Sequence, residues 1–506
     1  MNFTLAPIFT HNLVLQQNKP VCVWGTGKEG ELVEAMIDNN KSSSFVKNGK
    51  WKLYLEPMKA DKNKVMVVRS GNEWIEITGI SIGEVWLAGG QSNMEYELRN
   101  STGGPQMLKN DKPDVRFYYT PKYEYEDEKF EKLVSQAHWE LFNENDAGKW
   151  SAVGYCFAKE LSEKLGVTVG IIGCNWGGTS ASAWMPEEDL REDSELSSYM
   201  EEIDSFNKTR TIEEQKKDYE DYLKYRSEWE PKCNKMYEEN PNTDWQTVID
   251  TIGDSKYPGP VNSFNPMRPG GLYKTMLSKV IEYSMAGVIY YQGESDDHKP
   301  GLYEKLFRKM ILRWRRDNAD NKLPFIAVSL PMHRYKQDPD LKNWPVIRKN
   351  QRLVIDSLSN AGLAVCTDLG EYNEIHPHDK RMVAHRLYLQ AGYLVYAVVN
   401  EMAANGPRFD YASLEGSTVI IHLKYASKGF YSKSMPVLGF ELAPQSSEGE
   451  DKDFEPATVT LCQDTIRVTN MNIAKPGYVR YLWTNYSEVN LFGTNLIPLE
   501  PFSIEL

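Results

Sequence analysis

From Glu84 to about residue 405, apolar runs of about five residues alternate with stretches of helical period, which commits the chain to βαβ units around a parallel sheet. The strands expected are Val85–Ala88, Val115–Tyr119, Thr168–Ile172, Gly287–Tyr291, Phe325–Ser329 and Leu363–Thr367. Helices are expected at Ser151–Leu165, Leu302–Arg316, Asn343–Leu358 and Lys380–Val399. Together they describe a doubly wound α/β core. One stretch interrupts it: residues 187–240 are dense in Glu, Lys, Asp and Tyr and read as one or two solvated helices inserted into the core. Such an insertion is either a charged surface feature or a wall of the substrate cleft.

Both flanks read differently. Before residue 80, short alternating runs such as KPVCVWG, LVEAMI and KWKLYL, punctuated by Gly, Asn and Lys, suggest a small β-sandwich. After Gly406, runs such as STVIIHLKY, TIRVTN and YVRYLWT suggest a second β region. The expected order is therefore an N-terminal β domain (1–80), an α/β domain (81–405) and a C-terminal β domain (406–506). A length of 506 residues accommodates that number, at roughly 150 residues per domain.

Lys plus Arg total 58 against 71 Asp plus Glu, giving a net charge of −13, which argues against nucleic acid or an anionic membrane as the main partner. Aromatic residues reach 12%, suited either to sugar-stacking surfaces or to large β cores. The six cysteines (Cys22, Cys156, Cys174, Cys233, Cys366, Cys462) form no CxxC pair and lie near no His at metal-ligand spacing, so they read mainly as buried thiols, with a disulfide left open as the alternative. No uninterrupted apolar run approaches the roughly 18 residues of a membrane span. The opening MNFTLAPIFTHNLVL lacks the basic and apolar regions of a signal peptide. A chain with its leader already removed reads the same, so cytoplasmic and secreted settings both stand.

Four segments at strand ends carry polar chemistry. In GEVWLAGGQSNMEYEL, an apolar strand runs into Gly89-Gly90 and then Ser92 and Asn93, which places Ser92 at or near a helix N-terminus. Ser92 there is either a helix cap or a nucleophile whose own N–H supports an oxyanion. In NWGGTSASAWMP, Gly177 and Gly178 offer bare N–H groups at a second strand end. After Gly287–Tyr291, Gln292 has an amide to donate to a developing negative charge, and Glu294 a carboxylate to accept from a substrate hydroxyl or to orient a neighbour. In DLGEYNEIHPHDKRMVAHR, His376 precedes Pro377 in a loop from which it can reach Ser92 as general base; His378 and His385 are its rivals. Asp368, Glu371, Glu374 and Asp379 are all near enough to orient an imidazole.

At these blocks the chain resembles the sialate O-acetylesterase family of the SGNH (GDSL-type) hydrolase superfamily. The matching text is GEVWLAGGQSNME, WGGTSASAWMP, LYKTML with GVIYYQGESD, and IHPHDKRMVAHRL, with further likeness in both β regions. The resemblance implies an SGNH-type core and a serine esterase that removes acetyl groups from sugar hydroxyls without metal or organic cofactor. It implies Ser92 as nucleophile, His376 as general base, and the Ser92 and Gly178 N–H groups with the Gln292 loop as oxyanion hole. The superfamily usually has Asp three residues before this His, where Asn373 stands here. Glu374 is the first candidate for the acid and Asp368 the second, with a Ser-His dyad as a third arrangement. The substrate implied is an O-acetylated carbohydrate: sialic acid first, acetylated xylan or another plant glycan as the alternative. A sialate carboxylate calls for a cation in the cleft, and Arg268 in NPMRPGGLY is the candidate, unless it caps a loop. A glycan-binding protein with a decayed site is the reading from another class, against which Ser92, Gln292 and His376 stand together.

Overall fold

A computed structural model describes residues 3–240, 243, 245–447 and 453–506. Its centre is a sheet in which Val115–Tyr119, Val169–Asn175, Glu73–Gly90, Gly287–Tyr291, Phe325–Val328 and Ala361–Ala364 lie side by side and parallel. Trp139–Leu141 adds an antiparallel edge beside Val115–Tyr119. Val169–Asn175, Gly287–Tyr291 and Phe325–Val328 are buried at every position, as continuous apolar strands covered on both faces must be.

The two-residue period of the central strand sorts its side chains between two cores. Val85 and Leu87 join Tyr290, Phe307, Trp314 and Ile347 on one face, under helices Tyr303–Asp317 and Asn343–Ser357. Trp86 and Ala88 join Phe157, Leu161, Ile289 and Leu387 on the other, under Ala152–Leu165 and Arg381–Leu394. The molecule is thus a mixed α/β protein with one large sheet and several smaller ones.

Glu73–Gly90 is a single strand of 18 residues. Its first half pairs antiparallel with Asp61–Ser70, and its second half enters the central sheet. Residues 80 and 81 therefore lie inside one strand, and the N-terminal β layers share their core with the α/β region: Val33, Trp51, Leu53 and Val68 belong to the cluster of Val85 and Leu87. At the other end, two four-stranded antiparallel sheets enclose Val419, Ile421, Phe440, Ile466, Tyr481 and Phe502. This β region is fastened to the core beside the strand ends: His333 N donates to Asn485 O at 2.9 Å, and Arg352 pairs with Glu500 at 2.7 Å.

The inserted segment forms Glu187–Arg191, Ser197–Asn207 and Ile212–Glu239. The last starts with a Thr211–Glu214 capping box and carries i,i+4 pairs such as Lys217–Asp221 at 2.6 Å on its solvated face. All six cysteines are free; four are buried as expected, while Cys156 is half-buried and Cys462 exposed. Among the described residues no helix is long and apolar enough to cross a membrane.

Candidate active site

Gly90 ends the central strand with φ 130°, and a Cβ there would lie 2.1 Å from the Tyr291 carbonyl oxygen. Only glycine lets the two strands stay this close to the last residue and then turn. Gln91 N donates to the same Tyr291 oxygen at 3.0 Å, and a one-turn helix, Ser92–Glu95, begins at once. As its first residue, Ser92 has an N–H without an intrahelical acceptor. Ser92 is half-buried, and among the described residues its hydroxyl is engaged by no other side chain.

The Trp176–Thr179 loop lies directly against it. A Cβ on Gly177 would come within 3.2 Å of Ser92 Cβ. The Gly177 N–H is not free, contrary to expectation: it donates to Glu95 Oε2 at 2.6 Å. Gly178 has φ 75° and faces Tyr257, whose Oη would sit 1.6 Å from any Cβ placed there.

Gln292 differs from the sequence reading. Its amide nitrogen donates to Thr179 O at 3.2 Å and Asp296 Oδ2 at 2.5 Å, and its oxygen accepts from Tyr303 Oη at 3.1 Å. With both ends of the amide committed and the residue buried, Gln292 braces two strand-end loops instead of presenting a donor. Asp296 completes that brace by accepting from Ser180 Oγ at 2.6 Å and Ala181 N at 2.9 Å.

Asn93 is the hub of the site. Fully buried, it donates through Nδ2 to Glu294 Oε1 at 2.7 Å and to the Ile375 carbonyl at 2.9 Å. One side chain therefore joins the residue after Ser92 to the residue before His376. The ammonium of Lys380 donates to Asn93 Oδ1. Lys380 is 1% exposed, and burial pulls it down to about 7 against the opposing pull of Glu294, Glu371 and Glu374. Burial also raises the Glu294 carboxyl, whose Oε2 has no hydrogen-bond partner among the described residues. Lys380 went unassigned in the sequence, where nothing in a lysine before a helix marks it as buried.

His376 N donates to Glu374 Oε1 at 2.7 Å, and its Nδ1 lies 3.8 Å from that oxygen. The rival carboxylates are occupied elsewhere. Asp368 forms a two-point ion pair with buried Arg386, which removes it as orienter of His376. Glu371 pairs with His378 at 3.2 Å, Asp379 with Arg381, and His385 with Glu160 at 3.0 Å. Burial, with the charges of Lys380 and His333 behind it, holds His376 down at about 4. The imidazole is therefore neutral over the whole physiological range.

The family described as "Carbohydrate esterase, sialic acid-specific acetylesterase" matches residues 82–215 and 255–386, more than half of the chain and all four strand-end segments. The chain belongs to this family. It is 23% identical to the sialate O-acetylesterase of Mus musculus, across 100% of this chain and 95% of the mouse protein. The sialate O-acetylesterase of Homo sapiens is also 23% identical, across 84% of this chain and 77% of the human one. A crystal structure of a carbohydrate acetylesterase from Xanthomonas citri superposes with a TM-score of 0.76 at 26% identity, covering 99% of each chain. The chain is accordingly a carboxylic ester hydrolase of the carbohydrate-esterase type.

In this esterase a cavity of about 730 Å³ opens beside Gly178 and Ser295, and the inserted helix Ser197–Asn207 forms one wall of it. Arg268 does not reach it as a free cation. It is 7% exposed, and its Nη1 donates to the Glu124 and Asn265 carbonyls, each at 2.8 Å. Arg268 locks the loop behind the cleft, which is the loop-capping role weighed against carboxylate recognition.

Proposed function

We propose that this carbohydrate esterase removes O-acetyl groups from sugar hydroxyls through an acetyl-enzyme on Ser92, with His376 as general base and Glu374 orienting it. The observation that carries this reading is the Asn93 bridge to Ile375 and Glu294, which fixes the Ser92 turn against the His376 loop. His376 accepts the Ser92 proton as Oγ attacks the acetyl carbonyl carbon. The N–H groups of Ser92 and Gly178 hold the resulting oxyanion, without the Gln292 amide. Protonated His376 then gives its proton to the departing sugar oxygen, and water activated by the neutral imidazole releases acetate. The Ser92–His376 hydrogen bond belongs to the substrate complex; such bonds are commonly long in free enzymes. The four segments at the ends of strands in one parallel sheet support an SGNH-type, doubly wound arrangement, with the N-terminal β layers built onto its central strand and residues 406–506 as a β appendage.

The relatives named above supply two substrate classes, acetylated sialic acid and other acetylated carbohydrates, and the burial of Arg268 favours the second. Acetate release from O-acetylated sugars, followed from pH 4 to 8, tests the mechanism. A base held at about 4 stays neutral as pH falls through 6.5, and Lys380, held at about 7, donates to Asn93 Oδ1 with or without its charge, so kcat/KM at pH 5.5 stays close to its value at pH 7.5. A base at the ordinary histidine value would lose about tenfold over that interval, and such a loss would contradict the assignment of His376.

A further inference from the structure

The cavity beside Gly178 shows which part of a substrate it fits. Its floor is the strand-end chemistry, Gly178 from one loop and Ser295 from the next. Its walls come from two parts of the chain outside the central sheet: Tyr199, Ile203 and Phe206 from the inserted helix, and Tyr257, Pro258 and Met267 from the segment that follows the insertion. Tyr257 is held by its tip, with Oη 3.4 Å from the Gly178 carbonyl, while the residue as a whole is 52% exposed. A ring fixed at one end and open along its body is a stacking platform next to the proposed oxyanion site. Phe206, 38% exposed, adds a second apolar surface.

No free cation lines this space among the described residues. The ionisable side chains lining it are Glu202, Asp297 and His298, besides Tyr199 and Tyr257, and among the described residues none is Lys or Arg. Lys299 comes near, but its ammonium is paired with Glu202 at 2.6 Å and lies 4.4 Å from the centre of the Tyr199 ring. Lys122, on the Trp176 side of the site, is paired with Glu95. Burial raises the Asp297 carboxyl, which suits it to exchanging hydrogen bonds with hydroxyl groups. A carboxylate entering this space would find no unpaired lysine or arginine among the described lining residues, whereas an uncharged pyranose would find aromatic faces for its C–H surface and polar groups for its hydroxyls.

We infer that the cavity walled by the inserted helix binds an uncharged, O-acetylated pyranose of a neutral glycan, with its ring against Tyr257 and Phe206, and that it disfavours carboxylate-bearing sugars. This rests on the reading of Ser92 as the esterase nucleophile.

The test compares kcat/KM of the full-length protein for acetylated xylo-oligosaccharide and for 9-O-acetylated sialic acid, with 4-nitrophenyl acetate as a sugar-free ester. The neutral glycan is expected to be preferred by about tenfold or more. Phe206→Ala is expected to raise KM for the oligosaccharide more than it lowers kcat, and Glu202→Gln to narrow the gap by improving KM for the sialate. Hydrolysis of 4-nitrophenyl acetate together with preference for the sialate would overturn the inference and leave the esterase reading standing. An unchanged KM in Phe206→Ala would also overturn it. Failure to hydrolyse any of the three esters would overturn both.

Discussion

Ser92→Ala is expected to remove ester hydrolysis while leaving the fold unchanged. The change deletes a single oxygen that no other side chain among the described residues holds, at the first residue of a one-turn helix fastened by Gln91 and Asn93 instead. The strand feeding that helix is anchored through Gly90 and Gln91 to Tyr291, so the oxyanion geometry survives the substitution. What is lost is the proposed nucleophile, and in serine hydrolases such a loss costs about 10⁶-fold in turnover. Acetate release and thermal melting, measured on the same preparation, check both halves. Hydrolysis undiminished in the variant would remove Ser92 from the mechanism.

Gly90→Ala is expected to damage the protein in the opposite way, through the fold. The new methyl group would sit 2.1 Å from a backbone oxygen of the neighbouring strand, and backbone cannot swing aside as a side-chain tip can. A φ of 130° adds strain that a Cβ tolerates poorly. The combined cost is of order 3 kcal/mol or more, among the larger effects of single substitutions. A circular-dichroism melt should show a clear fall in Tm, with activity falling in parallel because the displaced residue precedes Gln91 and Ser92. A melt matching wild type would mean that this close strand approach is not a constraint on the fold.

The contrast between these two positions also shows what the sequence discloses. Buried parallel strands announce themselves as largely apolar runs, so Gly287–Tyr291, and Val115–Tyr119 despite Arg116 within it, begin and end where apolarity predicts. Apolarity reports burial rather than pairing, however. The run through Val365 and Cys366 stays buried after the strand has stopped at Ala364, and Cys366 N donates to Ser329 Oγ at 2.8 Å instead of to a neighbouring strand. The helix expected to reach Val399 stops at Leu394 for a related reason. The apolar residues beyond it fold back, with Val398 N and Val399 N bonded to the Gly392 carbonyl and the Val399 side chain filling the space a Cβ on Gly392 would take.

At the site, glycine pairs and a proline-bounded histidine at strand ends were legible, because backbone geometry restricts the residues allowed there. Partnership was not. Asp368 and Glu374 have the same chemistry in the sequence, and only the fold gives Asp368 to Arg386 and brings Glu374 to His376. Arg268 and Lys380 likewise have the side chains of surface residues but are buried. The continuity of Glu73–Gly90 across residues 80 and 81 was hidden as well, since one strand serving two sheets has no signature of its own.

The central claim is that Ser92 carries the acyl group. A fluorophosphonate that forms a stable adduct with activated serines, followed by peptide mapping in a mass spectrometer, tests it most directly. The account predicts one adduct per chain, on Ser92, with labelling abolished in His376→Ala because the hydroxyl then has no base to accept its proton. A chain that stays unlabelled while hydrolysing acetyl esters, or an adduct on any other serine, would contradict it.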